Sequence, residues 1–126
     1  TGPIPPELGN LKRLEELSLR GNQLSGSIPK ELGALAKLTV LGLNRSKLTG
    51  HIPQQLGDLS ALEHLGLSNN NLDGEIPGSL GQLGNLLKLC LSRNKLSGSI
   101  PSELGKLAGL KHLGLENNQL SGECIC

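Results

Sequence analysis

The chain has 126 residues, a formal net charge of +1, and no Phe, Tyr, Trp or Met. The near-neutral charge argues against a general nucleic-acid binder, because sequence-independent binding to phosphates requires a strong excess of basic residues. A core without aromatic rings is typical of regular aliphatic layers, whereas irregular globules use aromatic side chains to fill uneven spaces.

A 24-residue unit repeats along the whole chain. It is marked by Ile-Pro pairs, each with a glycine two positions before the isoleucine, which begin at Ile4, Ile28, Ile52, Ile76 and Ile100. A unit this short buries its apolar side only by stacking on its neighbours, so the period predicts a solenoid. We expect one array over 1–126, with repeats at 11–34, 35–58, 59–82 and 83–106, a partial repeat at each end (1–10 and 107–126), and truncation at both ends.

The first element of each repeat is a short strand. Leu17 and Leu19 flank Ser18, and this alternation places both leucines on the inside and the serine on the opposite face. The same leucine pairs recur at Leu41/Leu43, Leu65/Leu67, Leu89/Leu91 and Leu113/Leu115. The pattern predicts five short parallel strands, one in each coil.

An asparagine follows the strand by three residues in four of the five coils: Asn22, Asn70, Asn94 and Asn118. An amide side chain both donates and accepts hydrogen bonds, so at a buried turn it can satisfy backbone groups of its own coil and of a neighbouring coil. We expect these asparagines to form a structural ladder. The second coil has Ser46 instead, whose shorter hydroxyl predicts a local weakness.

The last element of each repeat is a single helical turn. In the first full repeat, Pro29 suits the first position of a 3₁₀ turn ending at Leu32, and Gly33 suits its exit. Strands spaced by about 4.8 Å on one side and bulkier turns on the other predict a curved stack with the strands on the concave face.

The complete unit is Leu-x-x-Leu-x-x-Leu-x-Leu-x-x-Asn-x-Leu-x-Gly-x-Ile-Pro-x-x-Leu-Gly, seen at 11–33, 59–81 and 83–105. This unit closely resembles the plant-type leucine-rich repeat. The resemblance implies an α/β repeat solenoid, a right-handed curved superhelix with short parallel strands on the concave face and short 3₁₀ turns on the convex face. It also implies a second, short sheet formed by the Gly-x-Ile-Pro portion, and a role in recognising proteins, peptides or small signalling molecules.

The outward positions of the concave sheet are the candidate ligand-binding surface. Gly42, Gly66 and Gly114 leave a floor without side chains, where a partner's backbone could lie close. The concave positions and their adjoining edge carry six basic and two acidic residues, which favours an acidic peptide or protein, although ordinary solubilising charge is the alternative. The candidate contacts are Arg20, Val40, Asn44, Arg45, His64, Ser68, Lys88, Cys90, Arg93, His112 and Glu116.

Residues that could perform chemistry are too far apart to act together. His64 and His112 share a column two coils apart, about 9 to 10 Å from strand spacing, which is too far to share a metal ion or a proton. Cys124 and Cys126 lack further ligands for a metal, and Cys90 would need rearrangement to pair with a histidine. We expect no enzymatic activity, no cofactor and no metal.

The predicted function is therefore recognition of a protein or peptide through the concave face. The alternatives are the repeat segment of an intracellular Roco-type GTPase or another multidomain signalling enzyme, and a structural or engineered consensus scaffold without a dedicated ligand.

The cysteines bear on the compartment. Three cysteines, from which no disulfide framework can be read, slightly favour the cytoplasm, and an extracellular receptor ectodomain is the alternative. No apolar run approaches the roughly 20 residues of a membrane helix. The sequence leaves open the oligomeric state, the ligand and whether Asn44, in an Asn-x-Ser triplet, carries a glycan.

Overall fold

A computed structural model describes residues 2–19 and 21–121. They form a right-handed solenoid, in which each coil supplies one strand to a five-stranded parallel sheet that we call the inner sheet. Its strands are Glu16–Ser18, Val40–Gly42, His64–Gly66, Lys88–Cys90 and His112–Gly114. Adjacent strands pair without any shift of register, so Leu17, Leu41, Leu65, Leu89 and Leu113 form one row.

A second set of strands runs beside the inner sheet, as the family resemblance implies. These side strands are Gly2–Pro3, Leu24–Ser25, Thr49–Gly50, Asn71–Glu75, Lys95–Ser99 and Gln119–Ser121. They form a two-stranded sheet from the first two and a four-stranded sheet from the rest. The division falls between the first and second full coils, where Ser46 replaces the asparagine.

The outer side carries one 3₁₀ turn per coil: Pro6–Asn10, Lys30–Ala34, Gln54–Asp58, Gly78–Gln82 and Ser102–Lys106. The predicted bounds were wrong at both ends. Pro29 caps the turn with φ −67° and ψ 136°, an extended conformation compatible with the proline ring, and it precedes the helical residues. Gly33 lies inside the turn and does not form its exit. Glycine is needed there because a Cβ would overlap the backbone of Gln55 in the next coil.

The core is a continuous column of leucine and isoleucine side chains. Leu41 and Leu89 are fully buried, as the period-two pattern predicted. Leu113, on the last described strand, is 42 % exposed because no described strand covers its outer side. Burial by stacking thus holds the coils together, with each coil packed on its two neighbours.

Among the described residues, no helix has the length and apolar character needed to cross a membrane.

Candidate functional site

The asparagines after the inner strands hold the edge of the concave surface in place. Asn70 Oδ1 accepts a hydrogen bond of 3.1 Å from the backbone N–H of Leu48 in the preceding coil. Its Nδ2 donates to the carbonyl oxygens of Leu43, at 2.9 Å, and Leu67, at 3.1 Å. Asn94 and Asn118 make the same set of contacts one and two coils further on.

The ladder is incomplete at the second coil. The Ser46 hydroxyl oxygen is buried and has no hydrogen-bond partner. Within the described residues, no side-chain hydrogen bond joins Ser46 to the first coil. Asn22, the predicted ladder residue of that coil, is exposed. The turn between these two coils therefore lacks the side-chain contacts that bind the later coils to one another.

A shallow cavity of about 190 Å³ lies on the inner sheet. It brings together five of the predicted contacts: Val40, Asn44, His64, Lys88 and Cys90. Gly42 and Gly66 form its floor, and Ser18 also lines it. Ser18 was not among the predicted contacts, although it occupies the same column as Cys90 and could have been found from that repeat position.

Asn44 covers part of the cavity floor. Its Oδ1 accepts a hydrogen bond of 2.7 Å from the backbone N–H of Ser68 in the next coil. A Cβ added to Gly66 would lie 2.7 Å from Asn44 Nδ2, so the amide rests directly on the glycine. The part of the floor formed by Gly66 is therefore covered by the Asn44 side chain and is not open to a ligand.

Ser68 was predicted to be an exposed contact, and this prediction was wrong. The residue is only 8 % exposed, although the period-two pattern placed it outward. The reason is that its backbone is bound by Asn44 and its hydroxyl accepts a hydrogen bond of 3.1 Å from Ser92 Oγ. Neighbouring coils therefore cover a position that a single strand would expose.

The other predicted contacts lie outside the cavity. Arg45 and Arg93 occupy the turn that leaves the inner strands, with φ of 58° and 57°. His112 and Glu116 belong to the last described coil, where the Glu116 carboxylate lies close to Gly114. Arg20, Cys124 and Cys126 lie outside the described residues.

The cavity presents both charge and hydrogen-bonding groups. His64 and Lys88, which line the cavity, are register neighbours on adjacent strands. His112 is the neighbour of Lys88 on the next strand, outside the cavity, so one cation stands between two imidazoles. Within 2–19 and 21–121, no group of three or more His, Cys, Asp or Glu side chains could hold a metal ion. The arrangement is suited to binding an extended chain by backbone contacts at Gly42 and polar contacts around it.

The accessibility of the Cys90 thiol can be used to test the register of the inner sheet. Its side chain is partly exposed and pairs in register with Gly66 and Gly114, on the outward face. We expect alkylation of the folded protein at Cys90, and Cys90→Ser to change the free energy of unfolding by no more than about 0.5 kcal/mol, as surface substitutions usually do. Mass spectrometry after native labelling measures the first effect. Protection equal to that of a buried thiol would contradict the outward register.

Comparisons with known proteins identify relatives of this architecture. Two profiles, each described as leucine-rich repeat, match residues 12–72 and 85–107. The structure of the plant peptide hormone receptor RGFR1 in complex with RGF2 is similar, with 45 % identity, a TM-score of 0.95 and 96 % of this chain covered. The Arabidopsis receptor kinase HAESA, in complex with the peptide hormone IDA and the co-receptor SERK1, shows 45 % identity, a TM-score of 0.93 and 96 % coverage.

A third similar structure is that of a plant ice-binding protein, with 42 % identity, a TM-score of 0.88 and 95 % of this chain covered. The chain spans 19 % of the length of the RGFR1 chain, 20 % of the HAESA chain and 39 % of the ice-binding protein. The comparison with curated protein sequences found no match.

Proposed function

The chain belongs to the leucine-rich-repeat family, and we propose that it is a recognition module that binds another protein or a peptide through its concave face. The observation that carries this proposal is the cavity on the inner sheet, where His64, Lys88 and Cys90 stand beside a glycine floor. At Gly42, unlike Gly66, an added Cβ would meet no atom closer than 3.4 Å, so the backbone of a partner can approach the sheet closely there.

The similar receptor structures support a peptide as the partner. RGFR1, a plant peptide hormone receptor, was solved in complex with RGF2, and HAESA was solved in complex with the peptide hormone IDA. Lys88 and its histidine neighbours favour an acidic group on the peptide of this chain, because charge complementarity steers association and fixes register. We therefore propose a binding role without enzymatic activity for this segment.

An extracellular location is proposed with this function. One similar structure is that of the leucine-rich-repeat ectodomain of the receptor kinase HAESA. The slight preference for the cytoplasm, which rested on three cysteines without a framework, finds no support in these relatives. We place the segment in an extracellular array, the alternative that the sequence left open.

Ice binding is a second function found in a protein of similar structure. A surface that matches the neutral, periodic lattice of ice would have to be similarly neutral and periodic. The side strands of this chain instead carry Asp73, Glu75 and Lys95, with His51 beside them. These charges interrupt the regular columns, so the concave face is the better candidate for function.

Adding side chains at glycine positions of the inner sheet tests the proposal. A Cβ added to Gly42 or Gly114 meets no atom closer than 3.4 Å, so Gly42→Gln combined with Gly114→Gln should fold normally while obstructing the concave face. We expect peptides selected from a random library on the unmodified protein to lose at least about ten-fold in affinity for this variant, which is about 1.4 kcal/mol. Fluorescence anisotropy measures the affinity.

The matched control replaces two exposed glycines on the turns that precede the inner strands. A Cβ added to Gly84 meets nothing within 4 Å, and one added to Gly109 meets nothing closer than 3.9 Å. Gly84→Gln combined with Gly109→Gln should therefore keep both the fold and the binding. The proposal is wrong if no peptide is selected, or if the floor variant binds the selected peptides as well as the control does.

A further inference from the structure

Four exposed cations lie along one edge of the stack, where the chain passes from the inner sheet to the side strands. They are Arg45 and Lys47 in the second full coil and Arg93 and Lys95 in the fourth. We call this set the basic edge. The third coil has the neutral residues Asn69 and Asn71 at the same positions, and none of the four cations lines the concave cavity.

The charges of the basic edge are not neutralised within the described part of the chain. The one close contact found there between an acidic and a basic side chain joins His51 Nδ1 to Asp73 Oδ1, at 3.5 Å. Asp73 is the register neighbour of Lys95, yet its carboxylate faces His51 and forms no ion pair with the lysine. The edge therefore presents four cations to solvent, and a partner can supply the missing counter-charges.

The backbone at the two arginines is strained. Arg45 and Arg93 adopt φ of 58° and 57°, in the left-handed region. The other coils place Gly21, Asn69 and Asn117 there, which are residue types that tolerate this conformation better. Neither arginine side chain makes a described hydrogen bond or ion pair within the protein that would offset this strain. Backbone strain that no contact within the protein offsets is typical of residues with a functional role.

We propose that the basic edge is a second interaction surface, which binds an extended acidic segment of a protein partner. The two arginines are two coils apart, about 9.6 Å from strand spacing, because the backbone hydrogen bonds from Arg45 to Ser68 and from Asn69 to Ser92 continue the register of the inner sheet. In a polyproline II segment, every third residue recurs after about 9.3 Å, so carboxylates at that interval meet both arginines. The guanidinium fork of arginine binds a carboxylate through two parallel hydrogen bonds, which a lysine cannot do.

An acidic polysaccharide is the competing occupant, and the composition argues against it. Sugar rings present C–H faces that pack on aromatic side chains, and this chain has none. The amides of Asn69 and Asn71, between the cation pairs, can donate to and accept from a peptide backbone. The basic edge therefore fits a protein segment better than a uronate polymer.

The experiment uses a fluorescent peptide of five Glu-Pro-Pro units and the variant Arg45→Asn combined with Arg93→Asn. Anisotropy at low ionic strength should show at least about a ten-fold loss of affinity, because two of the four cations are removed. The same variant should unfold about 5 °C higher than the unmodified protein, because asparagine relieves the strain. Weaker binding together with higher stability cannot result from misfolding.

The control variant, Arg13→Asn with Lys37→Asn, removes two cations from equivalent exposed turns elsewhere in the first and second coils. It should keep the affinity for the peptide, and so should the floor variant Gly42→Gln with Gly114→Gln, which separates this surface from the proposed concave site. The proposal is overturned if the control loses as much affinity as the basic-edge variant. It is also overturned if polygalacturonate binds the edge and the peptide does not.

Discussion

Replacing Gly81 by alanine is expected to destabilise the protein by about 3 kcal/mol, because overpacking a tight contact forces backbone shifts. The new Cβ would overlap the backbone carbonyl oxygen of Glu103 in the next coil, a group that cannot move without separating the two coils. Gly33 and Gly57 make the equivalent approach to Gln55 and Ser79. Chemical denaturation measures the loss.

Gly105 provides the matched control for this substitution. It occupies the same position in the last 3₁₀ turn, and no described atom lies within 4 Å of a Cβ built there. Gly105→Ala should therefore leave the free energy of unfolding within about 0.5 kcal/mol of its original value. If both alanine variants unfold at the same denaturant concentration, close stacking between coils is not the reason for the glycine.

The role of this glycine could not be predicted from one repeat. The sequence suggested that Gly33 ends a helical turn, whereas the structure places it inside the turn and against the next coil. A local sequence pattern indicates backbone conformation, but it does not predict contacts with atoms of a residue 22 positions away. The 24-residue period, by contrast, was sufficient to predict the solenoid and its inner strands, because stacking equal coils brings the same inner-strand position of each coil side by side.

The same reasoning explains which site residues could be predicted. Alternation along a strand correctly predicted the outward faces of His64 and Lys88, which line the cavity. It failed for Ser68, because the side chains of Asn44 and Ser92 reach across from neighbouring coils. Side-chain contacts between coils depend on the particular residues at each position, so the repeat pattern alone does not determine them.

Removing one asparagine of the ladder should also destabilise the protein strongly. Asn94→Ala removes the acceptor for the backbone N–H of Leu72 and the donor to the carbonyl oxygens of Leu67 and Leu91. Each of these three backbone groups costs about 1 to 3 kcal/mol when it is left buried without a partner, so we expect a total loss of at least about 3 kcal/mol. Hydrogen exchange provides a local measurement, since the Leu72 amide should lose much of its protection.

The reverse change at the second coil should stabilise the protein. Ser46→Asn removes a buried hydroxyl that has no partner and places an amide where the later coils bond to the preceding one. By the geometry of Asn70, the new side chain would accept from the N–H of Leu24 and donate to the carbonyl oxygen of Leu19, for a gain of about 1 to 2 kcal/mol. Ser46→Ala is the control, because it removes the hydroxyl without adding these bonds. Equal stability of the asparagine and alanine variants would show that relief of the buried hydroxyl, and not completion of the ladder, accounts for any gain.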